Sequence, residues 1–288
     1  MKLALGSAQI GMQYGLLDHS KEKSVAEVRE ILKIASENSI NTIDTAISYG
    51  RSEEILGQAN VHDFDVITKI PKFPDNIDEP RRWVQDHIFS SLEHLKINKL
   101  YAVLFHESDD LDSCFADEIF KGIEKLKAKK LIKKIGVSIY NPNQLDKITD
   151  RYEINIVQAP LNILDRRLIT SGWMQKLYSN SIEIHTRSCF LQGLLLMSPQ
   201  TIPQKFNQWK GLFTELEEWC NAYGKTMLEV CLGFQNSFPE INKTVIGIDS
   251  KHHLSEIISK NNSCKSFEIP NISCDDENLI NPSKWSEL

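Results

Sequence analysis

No Cys-x-x-Cys pair, and no cysteine with a histidine at metal-finger spacing, occurs in this 288-residue chain, which excludes a zinc-finger framework. The six cysteines (Cys114, Cys189, Cys220, Cys231, Cys264 and Cys274) sit mostly in apolar surroundings such as Val230-Cys231-Leu232. That is the setting of reduced core thiols rather than disulfides. Basic residues are in short supply as well. With 33 Lys and Arg against 39 Asp and Glu the net charge is -6, which argues against a face built to neutralise nucleic-acid phosphates. No apolar run reaches membrane-spanning length and no signal-peptide pattern stands at Met1, so a cytoplasmic location without membrane contact is expected. The glycines Gly6, Gly11 and Gly15 do not make Gly-x-Gly-x-x-Gly, which disfavours a Rossmann phosphate loop. No linker rich in Gly, Pro or Ser divides the chain.

What the chain does have is regular alternation. Short β-like runs are predicted over residues 3–8, 42–44, 65–69, 100–105, 134–138, 154–158, 182–186 and 244–247. Helical patterns lie between them, over 25–37, 53–58, 79–95, 118–129, 142–149, 168–179, 210–222 and 252–259, with an additional helix over 226–238. Ser24-Val25-Ala26-Glu27 and Thr226-Met227-Leu228-Glu229 both fit a capping box. Eight β/α units predict a (β/α)8 TIM barrel as a single domain over 1–288, with residues 260–288 wrapping it as a loop. A doubly wound open sheet is the alternative.

Barrel active sites lie at the C-terminal strand ends. Three apolar runs end there in polar groups: Asp44, Lys69 and His106, with Tyr49 five residues beyond Asp44. Each has an ordinary explanation alone. Asp44 can cap a turn, Tyr49 can be a half-buried aromatic, and His106 can be a satisfied core histidine. Lys69 is harder to dismiss, because an ammonium among Val66, Ile67, Ile70 and Pro71 needs a partner where water is scarce. Together the four suit proton delivery to a carbonyl oxygen. A neighbouring ammonium favours a phenolate, a carboxylate holds the ammonium, and a neutral histidine donates to the substrate oxygen. A metal-dependent hydrolase built on His106, His185 and Asp44 lacks a supporting ligand motif, so no metal is expected.

The same residues in the same order resemble the aldo-keto reductases, and the resemblance covers nearly the whole chain. It is carried by Leu5-Gly6-Ser7-Ala8-Gln9, Asp44-Thr45-Ala46 with Tyr49-Gly50, Thr68-Lys69 and His106. Later come Gly136-Val137-Ser138, Val157-Gln158, Arg187-Ser188 and Gln192-Gly193-Leu194-Leu195. The family pattern implies a (β/α)8 barrel and reversible, nicotinamide-dependent carbonyl reduction. It implies Tyr49 as proton donor, Lys69 and Asp44 as its tuners, and His106 as the group orienting the carbonyl.

The resemblance also implies a cofactor cradle, with Gly6, Ser7 and Asp44 among its contacts. Ser138 and Gln158 match residues that hold the nicotinamide carboxamide, and Arg187 matches a position that stacks on the ring. Ser188, Gln192 and Gly193 would cover the pyrophosphate, and Gly247, Asp249, Ser250, His253 and Glu256 would meet the adenosine end. Two departures stand out. Asp249 occupies a place where a basic residue often reads the 2′-phosphate of NADP, although Lys251 and His253 are near enough in sequence to compensate. The family's Ser-Asn pair reads Ser138-Ile139. Family habit places NADP(H) ahead of NAD(H).

The substrate mouth is expected to be shaped by residues 9–17, Trp173 and residues 199–209, with Phe206 and Trp209 either lining a pocket or packing in the core. The expected partner is a small carbonyl compound, a sugar or sugar-derived one, for a monomer or weak homo-oligomer. The competing function is a cofactor-binding regulatory protein with slow turnover.

Overall fold

The computed structural model describes residues 2–13, 15–16, 22–263 and 268–288, so Cys264 and parts of the expected 9–17 mouth lie outside the described residues. Eight parallel strands pair in chain order and close into a barrel. They are β1 (Leu3–Gly6), β2 (Thr42–Asp44), β3 (Asp65–Ile70), β4 (Leu100–Phe105), β5 (Ile132–Ser138), β6 (Ile156–Pro160), β7 (Glu183–Arg187) and β8 (Ile241–Gly247). Closure runs through β1 and β8, with Leu3 opposite Thr244 and Gly6 opposite Gly247. Gly6 also pairs with Asp44, which brings three strand ends to one level.

The helices outside are α1 (Ala8–Gly11), α2 (Val25–Glu37), α3 (Ser52–Ala59), α4 (Pro80–Leu95), α5 (Ala116–Ala128) and α6 (Leu145–Arg151). They continue as α7 (Arg167–Thr170), α8 (Trp173–Ser179), α9 (Lys210–Tyr223), α10 (Met227–Asn236), α11 (Lys251–Ser263) and α12 (Glu277–Ile280). In α2 the Ser24–Glu27 capping box satisfies the first free amides, and Val28, Ile31, Leu32 and Ala35 form the buried stripe. Each fully buried aliphatic side chain of this kind contributes about 1.5–3 kcal/mol. The capping box at Thr226 and Glu229 forms in the same way.

Apolar side chains fill two separate regions. The larger lies between strands and helices. The smaller, Ile67, Ala102, Leu104 and Ile156, is fully buried and plugs the barrel axis. Near the opposite, N-terminal end of the strands the filling turns polar. Lys134 Nζ lies 2.5 Å from Glu183 Oε1, and Tyr101 donates its hydroxyl to the same carboxylate at 2.8 Å.

Several boundaries differ from the sequence expectation. β1 stops at Gly6 rather than running to Ala8, because the chain turns at once into α1. The helix expected over 168–179 is broken into α7 and α8 at Gly172, whose φ of 79° is left-handed. The segment expected as a wrapping loop is partly helical. α11 extends to Ser263, and α12 is followed by a 3-10 turn at Pro282–Glu287. That segment is packed in: Trp285 is buried, its ring is 4.8 Å from that of Phe206, and Asp276 accepts from Trp209 Nε1 at 3.0 Å. Trp173, Phe206 and Trp209 are therefore core residues here, not walls of a substrate mouth.

Candidate active site

Four side chains, three from neighbouring strand ends and one from the turn after β2, meet above the inner plug. Asp44 ends β2, Lys69 is the penultimate residue of β3, and His106 directly follows β4. Lys69 has no exposed surface, and its ammonium donates to Asp44 Oδ2 at 2.5 Å and to the Thr45 carbonyl at 2.9 Å. A buried ammonium is tolerated because a carboxylate and a carbonyl replace its water. The second oxygen of Asp44 accepts from Gln158 Nε2 at 2.6 Å, so β6 joins the same network.

Tyr49 arrives from the turn after β2. Gly50, at φ 56°, lets this turn lie against the loop after β1: a Cβ there would stand 2.4 Å from the Gly11 carbonyl oxygen. The Tyr49 ring lies 5.0 Å from Lys69 Nζ and meets the His106 ring edge-on, with centroids 5.7 Å apart. Ser48 Oγ lies 3.1 Å from His106 Nδ1, a contact that fixes the imidazole and that sequence reasoning missed. Burial first, then the charges of Lys69 and Arg187, opposed by Asp44, hold His106 down at about 4. It is therefore neutral at physiological pH and able to donate from one nitrogen.

From Asp44 and Tyr49 a cleft of about 230 Å³ runs across the strand ends to Asp249 and His253. Gly6, Ser7, Gln158, Arg187, Ser188, Gln192, Gly193 and Gly247, all expected in the cradle, line it as well. Ser138 lies beside the cleft rather than on its surface, buried and paired in register with Gln158. Arg187 is held against the wall: its guanidinium is 4.5 Å from the Tyr140 ring and donates to the Ile139 carbonyl at 3.0 Å. Ser188, Leu191, Gln192 and Gly193 all adopt positive φ, folding the loop after β7 back on itself. Three of those are not glycine, and such strain is characteristic of ligand clamps.

At the far end Ser250 is occupied as a cap, its Oγ accepting from the His253 amide at 3.2 Å. Glu256 is exposed on α11 and does not reach the cleft surface. Lys251 pairs with Glu30 at 3.0 Å instead of turning toward Asp249. Gln9 is the main residue whose role the sequence did not reveal. Its Nε2 donates to Asp249 Oδ1 at 2.5 Å, joining the loop after β1 to the loop after β8. The sequence placed it just beyond a strand end, in the family motif and at the start of the expected mouth, without a partner. Cys189 also lines the cleft, but burial pushes its thiol well up, which makes it inert.

No three His, Cys, Asp or Glu side chains among the described residues form a group able to hold a metal ion. His185 sits with Glu183 at 3.4 Å, apart from His106 and Asp44. No helix among the described residues is long and apolar enough to cross a membrane.

The closed parallel barrel thus carries a tyrosine, a buried ion pair and a neutral histidine at its C-terminal mouth. Residues 2–268 match the model of the aldo/keto reductase family, and the chain belongs to that family. It is 29% identical over 147 residues to D-arabinose 1-dehydrogenase of Saccharomyces cerevisiae, covering 48% of this chain and 42% of that one. It is 28% identical over 140 residues to the chloroplastic pyridoxal reductase of Arabidopsis thaliana, covering 43% and 38%. Both matches span less than half of those relatives.

Among solved structures the barrel resembles an aldo-keto reductase from Bacillus halodurans, with a TM-score of 0.73 and 20% identity over 90% of this chain and 86% of that one. It also resembles glycerol dehydrogenase from Gluconobacter oxydans, at 0.70 and 21% over 93% and 88%. At those identities the likeness is one of fold.

Proposed function

We propose that this chain reduces an aldehyde or ketone to an alcohol, with Tyr49 supplying the proton. The observation that carries this reading is the buried Lys69–Asp44 pair set beneath the Tyr49 ring, with neutral His106 at the ring's edge. An ammonium close to a phenol stabilises the charge that remains when the proton leaves. Asp44 keeps that ammonium charged and aimed. His106, neutral and braced by Ser48, donates to the carbonyl oxygen and orients it.

The donor set of the cleft suits a nicotinamide dinucleotide. Gln158 spends its amide nitrogen on Asp44, which leaves its carbonyl oxygen as an acceptor on the cleft side. A carboxamide needs such an acceptor together with a donor, and the Ser138 hydroxyl stands next in register. Gly6 and Gly247 line the same cleft with bare backbone. When bound, the reduced nicotinamide supplies the hydride. The clamp from Ser188 to Gly193 would cover the middle of the dinucleotide.

For substrate class we propose a sugar or sugar-derived carbonyl. The name of one relative, D-arabinose 1-dehydrogenase, supports this. The test is to mix the protein with NADPH or NADH and a panel of aldoses plus 4-nitrobenzaldehyde, following loss of reduced-nicotinamide absorbance. Turnover with at least one aldehyde is expected; binding of nucleotide without turnover of any would sink the reading.

A further inference from the structure

We infer that Asp249 makes the cleft select NAD(H) over NADP(H), its carboxylate accepting the adenosine ribose 2′-hydroxyl and repelling a 2′-phosphate. This rests on the reading of the cleft as a dinucleotide site. The hydride-bearing ring has to lie where Tyr49 and Asp44 are. The adenosine half therefore falls at the other end of the same cleft, among Gly247, Asp249 and His253.

Two contacts hold the carboxylate there, and a third holds its main chain. Gln9 Nε2 donates to Oδ1 at 2.5 Å. His253 Nδ1 stands 3.4 Å from Oδ2. Lys23, itself buried, donates its ammonium to the Asp249 main-chain carbonyl at 2.6 Å. Gly247 leaves room for the Gln9 amide, since a Cβ there would lie 2.6 Å from Gln9 Oε1. Gln9 is thus the positioning residue and Asp249 the selecting one.

Among the described residues the nearby cations are already engaged. Lys251 is drawn onto α2 by Glu30, and Lys23 is spent on a carbonyl. Arg187, the one arginine lining the cleft, belongs to the β7 wall, where it is fixed over Tyr140. A 2′-phosphate would bring about two negative charges against a carboxylate with no arginine or lysine facing it among the described cleft residues. A free 2′-hydroxyl would donate to that carboxylate, the arrangement by which acidic residues recognise ribose in other dinucleotide sites.

The experiment is calorimetric titration of the full chain with NADH and with NADPH at one fixed salt concentration. NADH should bind more tightly by about tenfold or more, a difference worth about 1.4 kcal/mol. Asp249→Asn should narrow that ratio, chiefly by strengthening NADPH, and Asp249→Arg should reverse it. Gln9→Ala should narrow it as well, by releasing the carboxylate, which provides a second route should a variant at position 249 fail to fold. Equal or tighter binding of NADPH by the unmodified chain would overturn the assignment while leaving the cofactor site standing. So would a ratio unmoved by Asp249→Asn. Failure of both nucleotides to bind would remove the cofactor reading itself, and the selectivity with it.

Discussion

Lys69 and Asp44 form an ion pair of 2.5 Å in which the lysine side chain has no exposed surface and that of Asp44 is 5% exposed. Every other feature of the site is arranged around that pair: Tyr49 above it, Gln158 on its far oxygen, and His106 kept neutral in part by its cation. Breaking one partner of a buried pair costs about 3–5 kcal/mol, because the other charge is left without water.

Asp44→Asn is expected to lower stability by about 3 kcal/mol and turnover by about a hundredfold or more. Urea denaturation and steady-state rates measure the two effects. A variant within 1 kcal/mol of the parent would mean that Lys69 is not dependent on this carboxylate.

His106 sets a pH dependence with a definite sign. Its folded value of about 4 lies below the ordinary 6.5, so the unfolded chain takes up the proton first. Stability from this group is complete above pH 6.5 and is lost as pH falls toward 4, by roughly 2 kcal/mol once screening is allowed for. Denaturation midpoints of the parent and of His106→Asn, compared at pH 7 and pH 4.5, isolate this group from the carboxylates. Parallel acid sensitivities in the two proteins would count against it.

Glu183 holds the far end of the barrel together. Burial raises its carboxyl, yet hydrogen bonds from His185, Lys134 and Tyr101 outweigh this and keep it at about 2. A depressed carboxyl contributes stability above its ordinary pKa, and that contribution is lost as pH falls from about 4.5 toward 2. Glu183→Gln should destabilise by about 2 kcal/mol at pH 7, with turnover at low temperature little changed because the site is at the other end of the strands. A large loss of turnover with unchanged stability would contradict this division of roles.

The sequence disclosed those parts of the site that local pattern controls. β2 and β4 ended where apolar runs gave way to Asp44 and His106, and both bounds agree with the structure. Capping boxes at Ser24 and Thr226 were legible because their partners are three residues away. What escaped were contacts between distant segments. Gln9 and Asp249 are 240 residues apart, and nothing in either neighbourhood announces their hydrogen bond. Lys251 read as a compensating cation beside Asp249, yet Glu30, 221 residues away, claims it. The left-handed turn at Ser188, Leu191 and Gln192 was also hidden, since positive φ is expected of glycine and these positions are not glycine.

Proton donation by Tyr49 is the step on which the proposed reduction turns. Its most direct test is Tyr49→Phe, with nucleotide affinity and single-turnover reduction of an aldehyde measured on the same preparation. Affinity should stay within about threefold of the parent and turnover should fall by about a hundredfold or more. Undiminished turnover in that variant would contradict it.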